Sequence, residues 1–203
     1  NSARSGKKPT SDIAIGDLVL ESNVPAMEYL MLQGGQFSKS RKHAVWLPSF
    51  LENHDPDTLR YFLSINMPEG HDTDFRWEEY VDKVNNELIS TYGNFIHRVM
   101  TLTHRIESPD GINPLAKYLN LGNHDEAELK ISKFVNDAID SMEKQRFKEA
   151  LRSIMNISQF GNGLIQHSEP WKYINSEEST EKNESLSTLA FCWQVCKGLA
   201  VTL

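Results

Sequence analysis

The sequence predicts a mainly α-helical protein in which a small α/β module, residues 1–73, precedes a helical bundle, residues 74–203. Beyond residue 74, apolar residues recur every three or four positions in several long segments, which is typical of amphipathic helices. Before it, short apolar runs are interrupted by glycine, proline and asparagine, which favours short strands and turns. With 203 residues and 39% hydrophobic content, the chain is large enough to build a core.

The first elements of the module are expected to be strands. Residues 1–16 show no hydrophobic period and are expected to be irregular. Two apolar runs within residues 17–32 predict two short strands, and Gly34 and Gly35 are expected to end the second one. Residues 34–43, which are polar and basic, are predicted to form a mobile loop.

Helical signals follow this loop. Residues 47–53 predict a short helix, and Asp55 as N-cap with Pro56 at the first helical position predicts a second one. Asp74 is expected to cap a long amphipathic helix of about eight turns over residues 76–106. The module should therefore lead directly into the bundle through this helix.

Three further segments complete the predicted bundle of about four or five helices. Residues 127–145 and 147–166 predict an antiparallel helix pair joined by a short polar link. Residues 175–185 are polar and charged and are predicted to form a poorly ordered link. Residues 186–203 predict a buried helix, and because they stay apolar to the end, we expect the natural protein to continue. The core is expected to include Leu88, Phe95, Val99, Phe134, Leu151 and Ile154.

Charge and cysteine content exclude several classes of protein. A formal net charge of −7 argues against a protein that coats nucleic acid through bulk electrostatics, so any contact with RNA must be local. No apolar run approaches the roughly 20 residues that a membrane span needs. Cys192 and Cys196 are too few for a disulfide framework, which favours a reducing, cytoplasmic location. We interpret both as buried thiols and predict no metal site.

Along the chain, the first segment whose residues suggest a catalytic or ligand-binding role is Gln36-Phe37-Ser38-Lys39-Ser40. A glycine-flanked loop that offers backbone N–H groups, two hydroxyls and one ammonium is suited to stabilising a triphosphate as charge moves toward the leaving pyrophosphate. Lys39 would then be the electrostatic catalyst, with Ser38 and Ser40 as further ATP-binding groups. The alternative interpretation is a solvated basic loop without a ligand.

This loop resembles the KMSKS signature of class I aminoacyl-tRNA synthetases, in a variant similar to archaeal methionyl-tRNA synthetases. The order of motifs over roughly residues 20–175 resembles the same family, including NVPAMEYLMLQGGQFSKSR around the loop and the series DTDF, W, NNEL, GN and HR after it. The resemblance implies that residues 1–73 end the catalytic region with a stem-contact module, and that residues 74–203 form a helical anticodon-binding domain. Gln36 departs from the first lysine of the signature, so the ammonium role rests on Lys39 alone.

The resemblance also implies three anticodon-binding residues, Asn94, Arg98 and Trp171. A spacing of four places Asn94 and Arg98 on one helix face, where an amide and a guanidinium can bind a base edge or a phosphate. Trp171 follows Pro170 after the third predicted bundle helix, where its indole is well placed to stack on an unpaired base. His97 is expected to flank this site without reading a base. Taken singly, each of the three implied readers could instead be an ordinary surface or core residue.

The resemblance implies a methionine–tRNA ligase as the full-length protein, with ATP and Mg²⁺, methionine and methionine tRNA as cofactor and partners. No stretch resembles the family's HIGH signature, so this chain alone is expected to be inactive and to need no cofactor, while binding tRNA and recognising its CAU anticodon. Two alternatives stay open: a stand-alone, non-catalytic tRNA-binding module and a helical protein–protein scaffold. Neither a membrane nor DNA is expected as a partner.

Overall fold

A computed structural model of the protein describes residues 24–106 and 114–200. The elements of its first part are β1 (Leu30–Leu32), β2 (Gly35–Gln36), α1 (Leu47–Leu51), α2 (Pro56–Ile65) and β3 (Thr73–Phe75). Strand β1 lies at the centre of a three-stranded sheet, antiparallel to β2 and parallel to β3. Of the two strands predicted over residues 17–32, the second is β1. The first, and the irregular segment predicted over residues 1–16, lie outside the described residues.

Helix α2 begins at Pro56, as predicted. The Asp55 side chain accepts a hydrogen bond from the Asp57 N–H at 2.8 Å, which satisfies one of the otherwise unpaired donors of the first helical turn. Helices α1 and α2 pack with the sheet around a small apolar core, whose buried members are Leu32, Phe50, Phe62, Phe75 and Tyr80. This core fixes the position of β1, and with it the turn that leads from β1 into β2.

The prediction that Asp74 caps the long helix is wrong. Thr73–Phe75 forms strand β3, which buries its first and last side chains to 8% and 2% exposure. The helix begins only at Trp77, and the Asp74 carboxylate instead accepts the Gly34 N–H. A local capping pattern could not reveal this role, because the partner lies 40 residues earlier in the chain.

A continuous helix runs from Trp77 to His104, as predicted, but its middle has a different geometry. It consists of α3 (Trp77–Lys83), a π-helical segment (Val84–Gly93) and α4 (Asn94–His104). The wider π-helical turn changes the spacing of the side chains, and none of the ten residues of this segment is buried. Val81, which regular spacing would bury, lies before this segment in α3 and is 49% exposed. Apolar spacing did not distinguish the two helix types, because both repeat about every four residues.

After a short 3-10 helix (Ala116–Tyr118), four further α-helices complete the described part of the bundle. They are α5 (Asp125–Glu143), α6 (Phe147–Ser168), α7 (Pro170–Tyr173) and α8 (Thr180–Leu199). Helices α5 and α6 pack as the predicted antiparallel pair, because the chain reverses at Gln145 with a φ of 58°. Helix α6 also contacts α2, α4 and α8, so it is central to the fold. Within residues 24–106 and 114–200, no helix is long and apolar enough to cross a membrane.

The prediction of a poorly ordered link over residues 175–185 is wrong from Ser179 onward. The Ser179 hydroxyl caps α8 by accepting the Lys182 N–H at 3.1 Å. The Lys182 ammonium donates to the Ser176 carbonyl at 2.7 Å, and Lys182 is only 9% exposed. Polar composition did not exclude a helix here, because the first turn of α8 is held by its cap and by the buried apolar residues that follow.

The main apolar core lies where α4, α6 and α8 meet. The predicted core residues that belong to it or pack against it are Phe95, Val99, Phe134 and Ile154. Leu88 and Leu151 instead pack against a second, smaller cluster that joins α2 to the bundle. The module and the bundle are therefore connected by apolar contacts as well as by the long helix.

Cys192 and Cys196 are free thiols buried in the main core, as predicted. Burial raises the pKa of the Cys192 thiol well above its usual range and raises that of Cys196 to about 12. Both groups therefore stay protonated near neutral pH, and a protonated thiol is a poor nucleophile.

Gly161 allows α6 to lie directly against α4. A Cβ atom at this position would overlap the ring of Phe95, which is fully buried. We expect Gly161→Ala to lower the free energy of unfolding by about 1–3 kcal/mol, measured by urea denaturation, because the helices must separate. Gly163→Ala is the matched control, since a Cβ there meets nothing within 4 Å and should raise stability by up to about 1 kcal/mol. Equal stability of the two variants would contradict the close approach.

Candidate functional site

Two polar side chains project from adjacent turns of α4 toward α6. Asn94 and Arg98 occupy the same face of α4, as their spacing of four predicted. The Asn94 amide donates to Asn162 Oδ1 at 3.3 Å, and the Arg98 guanidinium donates to Gln166 Oε1 at 3.1 Å. Asn162 and Gln166 are themselves four residues apart on α6. The result is a ladder of two side-chain pairs that links the two helices.

The α6 side of this ladder was not identified from the sequence. Asn162 is fixed by a further hydrogen bond of 2.9 Å, which its amide donates to the Thr91 carbonyl in the π-helical segment. Its position also depends on the neighbouring glycine, Gly161, since that residue permits the close contact of α6 with Phe95. The sequence signal for this pair was two amide side chains, Asn162 and Gln166, four residues apart on a predicted helix and next to Gly161. Such a pattern does not indicate a site by itself, because it is common on solvated helix faces.

Trp171 lies beside Arg98 because of the way α6 ends. Glu169 adopts a left-handed conformation with a φ of 45°, and Pro170 then begins the short helix α7. This reversal places the Arg98 guanidinium carbon 5.6 Å from the centre of the Trp171 ring, within range of a cation–π contact. The indole remains 37% exposed, so part of its surface is open to a ligand.

The guanidinium of Arg98 is only partly engaged by the protein. It donates one hydrogen bond to the Gln166 amide oxygen and lies over the Trp171 ring. In the described parts of the chain, none of the ion pairs involves Arg98. Because a guanidinium has five N–H donors, it can hold an acceptor of a bound molecule while these contacts remain.

An open cleft adjoins the other side of Asn94. Its volume is about 610 Å³, and its lining residues are Leu88, Ile89, Ser90, Gly93, Asn94 and His97. His97 therefore belongs to this cleft and contacts Thr101 at 3.5 Å. It flanks the Asn94–Arg98 ladder without joining it, consistent with the flanking place expected from the sequence.

The segment that contains Ser38, Lys39 and Ser40 forms a hairpin in the structure. Ser38 and His43 exchange two backbone hydrogen bonds of 2.9 Å, and Lys42 turns the chain with a φ of 55°. The hydroxyls of Ser38 and Ser40 lie 3.3 Å apart, while Lys39 is exposed at the tip. This geometry gathers two hydroxyls and an ammonium on one loop, and the mobility expected of that loop stays a prediction.

The hairpin is held against β1 by His43. Its Nε2 atom lies 2.7 Å from the Leu32 carbonyl oxygen, so the ring N–H donates to the backbone of the central strand. The same nitrogen would lie 3.0 Å from a Cβ atom at Gly35, so the absence of a side chain at Gly35 leaves room for this ring. Within the described residues, no group of three His, Cys, Asp or Glu side chains forms a metal site.

Sequence comparison relates the chain to a known family. A family profile described as "tRNA synthetases class I (M)" matches residues 9–100. The methionine–tRNA ligase of Christiangramia forsetii is 41% identical over 172 residues, which cover 83% of this chain and 24% of that protein. The methionine–tRNA ligase of Pyrococcus furiosus is 36% identical over 184 residues, which cover 91% of this chain and 24% of that protein. The chain thus spans about a quarter of the length of these relatives.

Structural comparison gives the same relationship at the level of the fold. The structure of Mycobacterium tuberculosis methionyl-tRNA synthetase in complex with methionyl-adenylate aligns with a TM-score of 0.69 and 21% sequence identity. The alignment covers 87% of this chain and 34% of that chain. Since the alignments to the two curated relatives cover 83% and 91% of this chain, the similarity extends beyond residue 100 into the bundle.

Proposed function

Because this chain belongs to the class I methionyl-tRNA synthetase family, we propose that it is part of a cytoplasmic methionine–tRNA ligase, an enzyme that uses ATP to join methionine to its tRNA. In this proposal, residues 1–73 end the catalytic region and include the stem-contact module. Residues 74–203 form the anticodon-binding domain. The chain would hold ATP with the hairpin loop and recognise the CAU anticodon with the bundle.

The contact of Arg98 with Trp171 is the observation that supports anticodon recognition. Unpaired RNA bases are recognised by stacking on aromatic rings and by hydrogen bonds to their exposed edges. Trp171 offers a partly exposed indole, and Arg98 and Asn94 offer donors on the adjacent helix. Because Asn162 and Gln166 hold both side chains in place, less conformational entropy is lost when a base binds.

A local site of this kind agrees with the acidic composition of the chain. The formal net charge is −7, so binding through a broad basic surface is not expected. Specific stacking and hydrogen bonding at Arg98 and Trp171 need only a few residues. In this proposal the bundle supplies specificity for the anticodon, and contacts elsewhere in the full-length ligase contribute to the affinity for the rest of the tRNA.

The second part of the proposal assigns ATP to the hairpin loop. The ammonium of Lys39 and the hydroxyls of Ser38 and Ser40 match the chemistry of a triphosphate, which offers negatively charged oxygen acceptors. In the full-length ligase, methionine would attack the α-phosphate of ATP, and Lys39 would stabilise the charge that develops on the leaving pyrophosphate. Mg²⁺ would accompany ATP and balance part of its charge.

The first test is binding of this chain to methionine tRNA and to the same tRNA with an altered anticodon. We expect at least a tenfold preference for CAU, because a changed base leaves hydrogen-bonding groups at the site unpaired, which costs about 1–3 kcal/mol. Fluorescence titrations at one fixed, moderate salt concentration would keep nonspecific phosphate contacts equal for both RNAs. Equal affinity for the two RNAs would reject anticodon recognition by this chain, and with it the role given to Arg98 and Trp171.

A further inference from the structure

The two-residue turn between β1 and β2 has an uncommon backbone conformation. Gln33 and Gly34 both have positive φ angles, 48° and 77°, as in the tight turns that match the twist of a hairpin. Gly34 adopts such an angle readily, whereas Gln33 is a residue with a side chain and rarely does so. A turn of this kind persists only where the surrounding structure determines it.

Strand β3 supplies the contacts that hold this turn. The Gln33 N–H donates to the Phe75 carbonyl at 3.0 Å. The Gly34 N–H donates to both carboxylate oxygens of Asp74, at 3.0 and 2.9 Å. Both backbone donors of the turn are thus bound by two consecutive residues of one neighbouring strand.

The Asp74 carboxylate is itself fixed. Arg76 Nε donates to one of its oxygens at 2.8 Å, and the Asp74 side chain is only 21% exposed. Its backbone carbonyl accepts a hydrogen bond of 3.0 Å from the Asn66 side chain. The acceptor that holds Gly34 therefore has little freedom to move, and a charged acceptor makes a stronger hydrogen bond than a neutral one.

The turn determines where the Lys39 hairpin begins. Strand β2 is only two residues long, Gly35–Gln36, and the Ser38–His43 hairpin starts two residues later. A rotation of the turn would therefore displace Lys39, because the few residues between the turn and Lys39 could not compensate for it. Electrostatic catalysis depends on donors that are already in position when charge develops, so such a displacement reduces the rate.

We propose that Asp74 is a positioning residue for the ATP loop: its carboxylate fixes the Gln33–Gly34 turn and thereby the place from which Lys39 reaches the triphosphate. This inference rests on the function proposed above for Lys39. Asp74 does not touch ATP in this arrangement, and it acts through the backbone of Gly34.

A neighbouring carboxylate offers a matched control. Asp72 accepts the Tyr29 N–H at 2.9 Å, so it also binds the backbone beside β1, but at the end away from the loop. In the full-length ligase, we expect Asp74→Ala to lower kcat for ATP–pyrophosphate exchange at least tenfold, with the KM for methionine unchanged. Asp72→Ala should change kcat less than twofold. Asp74→Asn, which keeps one acceptor oxygen, should recover part of the rate.

Hydrogen exchange of the loop amides provides a second readout. Asp74→Ala should speed exchange of residues 34–43 at least tenfold, while Asp72→Ala should leave their exchange rate unchanged. Equal effects of the two alanine variants would overturn the proposal, as would faster loop exchange with a normal kcat. If Lys39→Ala also leaves kcat unchanged, the function proposed for the loop fails as well, so the two failures are distinguishable.

Discussion

Replacing Arg98 and Trp171 together with alanine is expected to weaken binding of methionine tRNA to this chain by about 100-fold or more. Loss of a stacked base removes about 1–3 kcal/mol, and loss of the guanidinium removes its hydrogen bonds to the same RNA. A total near 3 kcal/mol corresponds to about two powers of ten in the dissociation constant. The fold should be kept, since Trp171 is 37% exposed and Arg98 forms no ion pair within the described residues.

A second cation–π pair in the same bundle is the control for this experiment. Lys130 of α5 lies 4.4 Å from the ring centre of Phe160 on α6. Phe160 is roughly 160° around α6 from Asn162, so this pair faces away from the site. The double variant Lys130→Ala with Phe160→Ala should keep its affinity for methionine tRNA, measured by the same titration.

The outcome also discriminates between the alternatives left open by the sequence. Equal loss in the two double variants would mean that general damage to the bundle, and not loss of a site, lowers the affinity. No loss in the Arg98 and Trp171 variant would reject both interpretations that involve RNA binding. A helical protein–protein scaffold would then be the remaining explanation of the bundle.

Replacing Lys39 with alanine is expected to lower the rate of methionyl-adenylate formation by the full-length ligase by about 10²–10³. Removal of one donor that stabilises developing charge has an effect of this size in other enzymes. The KM for methionine should change little, because Lys39 is assigned to the pyrophosphate end of ATP. ATP–pyrophosphate exchange measures both quantities, and tRNA binding by the variant should be normal.

Lys42 provides the comparison for Lys39, since it is an exposed cation in the same hairpin. Its φ of 55° favours asparagine over alanine as the replacement, because asparagine tolerates the left-handed conformation. Lys42→Asn should reduce the exchange rate by less than tenfold. Equal losses at both positions would indicate a general effect of positive charge. An unchanged rate in Lys39→Ala would instead mean that Lys39 takes no part in adenylate formation, and would reject the ATP-binding role given to the hairpin loop.

Local patterns were sufficient for the features that depend on neighbours within a turn or two. The N-cap of Asp55 and the start of α2 at Pro56 follow from residues next to each other, and both are present in the structure. The helical periods predicted the long helix and the α5–α6 pair, because an amphipathic stripe is a property of one segment. The same reasoning placed Asn94 and Arg98 on one face of α4.

Features that depend on distant partners escaped this reasoning. The sequence around Asp74 predicted a helix cap. In the structure, β3 pairs with β1, and the Asp74 carboxylate binds the Gly34 N–H. Lys182 lies in a polar stretch of the sequence, yet the packing of α8 leaves it only 9% exposed. The π-helical segment has the composition of an ordinary helix, and its geometry appears only in the structure.

The sequence by itself determined most of the helical segments, which loop presents Ser38, Lys39 and Ser40, and that Asn94 and Arg98 share a helix face. Only the tertiary structure decided that Asn162 and Gln166 hold those two side chains and that Trp171 lies against Arg98. The Asn94–Asn162 and Arg98–Gln166 pairs each join residues that are 68 positions apart. Their contact depends on the crossing of α4 and α6 at Gly161, a property of two packed surfaces that neither segment contains alone.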